Sequence, residues 1–392
     1  MRLCGTVKPL RHPRGKELMR LHMRTTLLKL LSLLLLMLVV TITLQMKKQK
    51  ATLRESNQIS PARHPPHADD VNNDTWWRRL LCRNVHYTKD AVILPFLNRD
   101  VKPSKDRLNV FLTEMSCSPR PLYRSWCALE SWALQNRRAS VWLVMLGKAV
   151  DPSDGLLLAL SEAYPNLRLV TMDLDWLFSS LPTHRLFSSG QWAGSTWPGK
   201  SLSNMVRLAL VWRFGGFYTD FDTVCLRDVQ GLSNVVGSQS SEIVNNAVFH
   251  FEHHHPFVQD NMEQQNKNFD GASFNVNGVN IMSEAAKTAC NTSDFEDLVR
   301  KREGLCRGFR VLPESAFYPV AWDSWRDIFR PGAGPNLLKR LNGSYVLHAW
   351  NVFSALSPIR IGMGTLYDLV SSAYCPVTKR HLLEAGRVWG PF

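Results

Sequence analysis

The chain has 392 residues, 45% hydrophobic and 20% charged, with 47 Lys and Arg against 33 Asp and Glu and a formal net charge of +14. Such length and apolar content exclude a disordered or collagen-like chain and suffice for one large folded core. The basic excess gathers near the N-terminus, and no basic motif interleaved with aromatic residues accompanies it, so nucleic-acid binding is not expected; an anionic membrane surface suits the charge better.

Residues 1–26 carry Arg2, Lys8, Arg11, Arg14, Lys16, Arg20 and Arg24 against a single Glu17. Residues 27–46 follow as an apolar run, uncharged from Leu30 to Met46, and Leu27 to Leu44 reaches about 27 Å as a helix. The pattern predicts a transmembrane signal anchor whose basic flank stays cytoplasmic, giving a single-pass type II membrane protein. A cleaved signal peptide is the competing reading, but no small-x-small site precedes Lys47. Residues 47–108 read as stem and lead-in, because Lys47 to Asp70 holds Pro61, Pro65 and Pro66 and few large apolar residues. The luminal domain is then 109–392.

Within that domain Asn109–Thr113, Val141–Leu146 and Leu167–Met172 read as strands, and Leu122–Leu134 as a helix. This alternation predicts an α/β fold with an open, mostly parallel central sheet and a ligand at the carboxyl ends of its strands. The segment Leu181–Lys200, rich in Gly, Ser and Trp, reads as a lid loop. Next comes an amphipathic helix in which Leu208, Val211 and Trp212 seat on a core while Asn204 and Arg207 share a polar face. Gly215 and Gly216 stop it, and a short strand is expected to carry Asp220 and Asp222 on one side with Phe221 on the other. Two carboxylates so placed suit a hard divalent cation, magnesium or manganese. A solvated acidic turn is the plain alternative.

The Ser203 to Arg227 segment resembles the donor-binding core of glycosyltransferase family 32, in its alpha-1,4-galactosyltransferase and alpha-1,4-N-acetylglucosaminyltransferase branch. The likeness extends to Asn109-Val110-Phe111, Cys127-Ala128-Leu129-Glu130-Ser131, Phe317-Tyr318-Pro319 with Trp325, Val346-Leu347-His348-Ala349-Trp350-Asn351 and Tyr374-Cys375-Pro376, roughly Asn109 to Pro376. It implies a GT-A type nucleotide-sugar domain, Golgi residence with the catalytic part luminal, and a UDP-sugar donor. It also implies a Mn2+ or Mg2+ cofactor. Asp222 is implied as a direct metal ligand, Asp220 as a contact to the ribose or to the metal through water, and His348 as a third ligand. Asn204, Arg207, Tyr218 and Gly278 are implied near the donor, Arg207 by charge-assisted hydrogen bonds.

The implied reaction is retaining transfer of galactose from UDP-galactose to a terminal sugar of a glycosphingolipid such as lactosylceramide, forming an alpha-1,4 linkage. No Asp or Glu identifies itself as a nucleophile for double displacement, so front-face attack is preferred. The alternatives are an alpha-1,4-N-acetylhexosaminyltransferase acting on glycolipid or glycoprotein glycans, and a catalytically silent Golgi subunit; association into a homo-oligomer stays open. Three departures bear on this choice. Asn204 stands where relatives carry Asp, Val279 where they carry Pro and Glu284 where they carry Arg.

Asn73, Asn291 and Asn342 are glycosylation sequons. Cys4 lies on the cytoplasmic side, which leaves seven luminal cysteines and so at least one unpaired or bridging two chains. The resemblance favours Cys290 with Cys306 and allows Cys127 with Cys375, while Cys225, in an apolar run, reads as a buried thiol. His253-His254-His255 reads as structural, since consecutive side chains diverge; Trp322 and Trp325 suit either an acceptor sugar or the core.

Overall fold

The computed structural model describes residues 75–386 apart from 84 and 358–360, together with Met37. The expected membrane anchor, the stem to residue 74 and the Asn73 sequon therefore lie outside the described residues, among which no helix is long and apolar enough to cross a membrane.

Strands form where β-branched and aromatic residues run together. The strands are β1 (Val92–Ile93), β2 (Asn109–Glu114), β3 (Ser140–Met145), β4 (Ala149–Val150), β5 (Leu167–Thr171), β6 (Gly216–Thr219), β7 (Thr223–Cys225), β8 (Val235–Ser238), β9 (Val244–Phe251), β10 (Arg310–Leu312) and β11 (Val346–His348). Seven of them make one sheet in the order β10-β8-β9-β6-β2-β3-β5. The pairings β10·β8, β6·β2, β2·β3 and β3·β5 are parallel, while β9 runs antiparallel to both β6 and β8. The sheet is thus mixed but mostly parallel. Its central strands are buried on both faces, which explains their continuous apolar runs.

Strand alternation divides the core in two. Val110 and Leu112 join a cluster with Leu129 and Trp132 of α1 (Tyr123–Gln135) and Leu160 of α2 (Leu156–Ala163). Phe111 points the other way, to a cluster containing Val206 and Leu210 of α3 (Pro198–Phe214), Val258 and Met262 of α4 (Pro256–Asn268) and Ala286 of α5 (Ile281–Cys290). The helices α6 (Phe295–Arg302), α7 (Leu366–Tyr374) and α8 (Pro376–Glu384) complete the set of eight residues or more.

Three disulfides fasten this body: Cys82–Cys117, Cys127–Cys375 and Cys290–Cys306, with Cys225 buried and free. The first bridge anchors a segment read from sequence as lead-in. Trp77 is fully buried there, and Arg78 donates to Thr171 Oγ1 and the Met172 carbonyl, so these two residues tie the segment to the body. Near the second bridge, buried Glu130 accepts hydrogen bonds from the Tyr164 hydroxyl and the Val377 and Thr378 amides, capping α8. Asn291 and Asn342 are exposed, as glycan acceptors require.

The expected lid loop is largely helical. His184–Ser188 forms a helical turn, Gln191–Gly194 a 3-10 turn, and α3 begins at Pro198, so Lys200 already lies on that helix. Proline at the first helical position and the burial of Trp192 explain the early start. At the other end, a Cβ at Gly216 (φ +117) would stand 2.3 Å from the Asn109 carbonyl oxygen, so glycine alone lets α3 turn directly into β6.

His250 on β9 gives a stability prediction. Its Nδ1 accepts the Asn234 amide at 3.0 Å, and burial pushes the imidazole from 6.5 down to about 4. The unfolded chain therefore binds the extra proton between those values. His250's contribution should be intact above pH 6.5 and lost as pH falls toward 4, on the order of 3 kcal/mol. Urea midpoints of wild type and His250→Gln across this range should converge at the acid end relative to neutral pH.

Candidate active site

The two acids lie on a turn rather than along a strand. β6 ends at Thr219 and β7 begins at Thr223, and Thr223 Oγ1 donates back to the Asp220 carbonyl at 2.8 Å. Trp132 Nε1 in turn donates to Thr223 Oγ1 at 3.1 Å, so α1 braces the turn. The expected strand alternation does not operate at these residues. The turn brings the carboxylates together instead.

Asp220 is held by its neighbours. The Tyr218 hydroxyl donates to its Oδ1 at 2.7 Å, and Arg207 Nη2 lies 3.1 Å from the same oxygen. Arg207 also donates to the Asn246 carbonyl at 2.7 Å and to Ser203 Oγ at 3.1 Å, and its guanidinium sits over the Tyr218 ring at 4.6 Å. Arg207 and Tyr218 are 5% and 1% exposed, so both support Asp220. Both are engaged by the acid turn, as a buried guanidinium must be paired.

Asp222 is set by the far end of the chain. β11 pairs antiparallel with β7, with His348 opposite Thr223, which returns the His-Ala-Trp-Asn segment to the acids. The Asn351 amide donates to Asp222 Oδ2 at 2.8 Å, and the Ala349 amide to the Asp222 carbonyl at 2.6 Å. Arg124 on α1 fixes Asn351 through its Oδ1 at 3.1 Å. Trp350 adopts φ +56, a left-handed conformation that turns the chain between His348 and Asn351.

Asp220, Asp222 and His348 each offer a ligand atom within 4.8 Å of the others. Asp222 Oδ1 is buried without a hydrogen bond, 3.3 Å from His348 Nε2. A buried carboxylate oxygen left without a partner beside an imidazole is what a cation-binding set leaves open, and carboxylate with imidazole suits manganese or magnesium. The residues therefore fit a divalent ion. The Trp350 amide approaches His348 Nδ1 at 3.3 Å, a contact long enough to be given up when the ring changes tautomer.

Electrostatics agree with an incomplete charge balance. Burial raises the Asp220 carboxyl above its ordinary range; Arg207 pulls it down and Asp222 pushes it up again, with its side chain still 29% exposed. Lys200, one turn ahead of Asn204 on α3, is pushed down to about 7 by burial and by Arg207, while Asp220 and Asp222 act in the opposite direction.

Asn204 and Gly278 lie together, brought into contact by Asn246, which no motif marked. Asn246 Nδ2 donates to Asn204 Oδ1 at 3.0 Å, and a Cβ at Gly278 would stand 2.7 Å from both atoms. Asn246, Lys200, Arg124 and the Asn351 amide carried no local motif beyond the closing His-x-Trp-Asn. Only the alternation of β9, with Asn245 and Asn246 inside an apolar strand, marked buried amides there. His255 caps α4 through Nδ1, and the rings of His253 and His254 stack, in keeping with a structural role. Glu284 is exposed and pairs with Lys287 at 2.9 Å, so its charge reversal falls on the surface. Trp322 is 47% exposed, while Trp325 stacks on Phe353. A cavity of about 760 Å3 lined by Phe257, Ile281 and Phe309 excludes the three metal-site residues.

Comparison with known proteins gives this site its class. Residues 123–242 match a glycosyltransferase sugar-binding region containing the DXD motif, and residues 250–382 match an alpha 1,4-glycosyltransferase conserved region. Lactosylceramide 4-alpha-galactosyltransferase of Homo sapiens is 30% identical over 276 residues, 69% of this chain and 76% of its own length. The protein of the same description from Mus musculus is 29% identical over 69% of this chain and 75% of its own length. Alpha-1,4-N-acetylglucosaminyltransferase of Homo sapiens is 27% identical over 71% and 82%. The chain is a DXD glycosyltransferase, a UDP-sugar-dependent hexosyltransferase. It belongs to the alpha-1,4-glycosyltransferase family.

Arg207 tests the electrostatics of the turn. Arg207→Met leaves Asp220 without its counter-charge and should cost about 2–3 kcal/mol, below the roughly 3–5 kcal/mol of a fully buried pair because Asp220 is 29% exposed. A shift in the urea midpoint measures this, and the double variant with Asp220→Asn should recover much of the loss.

Proposed function

We propose that the chain transfers a hexose, with retention, from its UDP derivative to a terminal sugar of a glycosphingolipid such as lactosylceramide, forming an alpha-1,4 linkage, and that it does so on a GT-A domain in the Golgi lumen. Galactose as the donor sugar rests on the names of relatives at about 30% identity. The single observation that carries the catalytic reading is the trio Asp220, Asp222 and His348, drawn from two distant segments and holding one buried oxygen without a partner. That trio argues against a silent subunit, because a purely structural turn gains nothing from such an oxygen.

The residues divide the work. Asp222, Asp220 and His348 would hold a divalent cation, Mn2+ in the first instance, and the cation would offset the charge that develops on the UDP leaving group. Arg207 and Tyr218 fix the direction of Asp220, while Arg124 and Asn351 fix that of Asp222. Lys200, on the same helix as Arg207 and within electrostatic reach of both acids, would add a cation when protonated as a diphosphate approaches. Front-face attack is the preferred route, since the sequence marks no Asp or Glu as a nucleophile for a covalent glycosyl-enzyme. The N-acetylhexosamine alternative draws on the buried amides beside Gly278.

Acceptor-stimulated UDP release by the full chain in detergent, with Mn2+ and lactosylceramide, tests this reading. One UDP-sugar should turn over, and Asp222→Asn should slow it at least about a hundredfold, a loss comparable to that from removing a residue that stabilises transition-state charge. Equal rates in wild type and variant would remove the acids from catalysis.

A further inference from the structure

The surface beside the acid turn bears on how the acceptor arrives, and this inference rests on the glycosphingolipid reading above. The segment that sets Asp222 continues into a single helical turn, Asn351–Ser354. Its inward positions are pinned. Arg124 Nη1 donates to Asn351 Oδ1 at 3.1 Å and to Ser354 Oγ at 3.2 Å, its Nη2 donates to the Ser357 carbonyl at 3.1 Å, and Ser354 Oγ donates to the Ala349 carbonyl at 2.6 Å. With positions 351 and 354 held against the body, the side chains between them are turned outward. Val352, Phe353 and Leu356 are exposed, Leu356 at 80%.

These side chains belong to a larger apolar surface. The Phe353 ring lies 6.1 Å from that of Trp322 and 6.4 Å from that of Trp325, and Trp322 is itself exposed. Trp325 leads into a cavity of about 450 Å3, which it lines with Phe329, Pro331 and the exposed Met363. A surface seldom gathers large apolar side chains in this way without something to cover them. One charge borders the cavity. Arg326 is exposed, its guanidinium over the Trp325 ring at 4.7 Å, and no carboxylate pairs with it among the described residues, whereas Arg330 is engaged by Asp327 at 2.9 Å.

We propose that this surface seats on a phospholipid bilayer, with Trp322, Val352, Phe353, Leu356 and Met363 at the outer acyl chains and Arg326 at the phosphates, so that a membrane-held acceptor presents its sugar to the acid turn without leaving the membrane. Aromatic and aliphatic side chains edged by a guanidinium on an apolar stem match the boundary between headgroups and acyl chains, and the unpaired charge of Arg326 complements a lipid phosphate. Position decides for a bilayer over a protein partner. Phe353 stands two positions beyond Asn351, whose amide holds Asp222, so the surface borders the site itself. A glycolipid carries its sugar and its apolar tail on one molecule, and a bilayer seated here receives the tail while the sugar meets the acids. A protein seated here would stand between them.

The full chain reconstituted in phosphatidylcholine vesicles tests this. The background is Cys4→Ser, in which the remaining unbridged thiol, Cys225, is buried. A fluorophore on Leu356→Cys should be quenched by lipids brominated high in the acyl chain at least about twofold more than one on Leu158→Cys, an exposed site on α2. Val352→Ser combined with Leu356→Ser should lower kcat/KM for lactosylceramide in the vesicles at least about tenfold, while the rate on methyl lactoside in solution stays within about twofold. Quenching no greater at 356 than at 158 would overturn the inference, as would losses equal on both acceptors or absent from both. Self-quenching of the label at 356 between copies in detergent, without quenching by lipid, would assign the face to a second copy and overturn it too. No turnover of lactosylceramide by wild type would overturn the acceptor reading above, and the lipid quenching would still decide the inference.

Discussion

The constraint on which the rest of the structure depends is the crowding of charge at the turn between β6 and β7. Two carboxylates cannot share a largely dry turn unless each is held by an opposing group. Asp220 has Arg207 and Tyr218; Asp222 has the Asn351 amide and the edge of His348. Each of those partners is itself anchored, Arg207 by Ser203 and Asn246, and Asn351 by Arg124. The balance is still one cation short, since Asp222 Oδ1 is buried without a hydrogen bond, with only the His348 ring beside it at 3.3 Å. A stable fold that retains such a defect is organised around something it binds.

The architecture follows from bringing those partners together. α3 delivers Lys200, Asn204 and Arg207 from one face of a single helix, and a Gly-Gly stop turns the chain straight into β6 and the acids. β9, inserted antiparallel beside β6, brings Asn246 alongside. β11 returns His348 and Asn351 across more than a hundred residues by pairing with β7. The Cys127–Cys375 bridge and the Glu130 cap hold α1, which carries Arg124 and Trp132, against the C-terminal helices. The enzyme's remote segments are thus coupled to one turn by a short chain of buried hydrogen bonds.

Much of this was legible in the sequence, for identifiable reasons. The strands β2, β3 and β5 and the helix α1 came out within a residue or two because buried parallel strands and an amphipathic helix leave strong periodic signals. The metal trio and the Cys290–Cys306 and Cys127–Cys375 bridges followed from the family resemblance, and the structure brings these residues together. What the sequence hid was context. A Gly- and Ser-rich stretch folded into helical turns because Trp192 buried itself, and Asp-x-Asp sat on a turn whose geometry depends on a threonine and a distant tryptophan. That Arg207 and Tyr218 support Asp220 was hidden because burial cannot be read from a motif. Asn246 and the Cys82–Cys117 bridge depend on long-range packing that no local pattern announces.

The most direct test of the central claim is Mn2+ binding by the full chain in detergent, followed by electron paramagnetic resonance of the free ion. Wild type should take up about one Mn2+ per chain, and Asp222→Ala should weaken that uptake at least about a hundredfold with an unchanged circular dichroism spectrum. Undiminished Mn2+ binding by Asp222→Ala would contradict the account, because the buried unpartnered oxygen would then have no ion to hold.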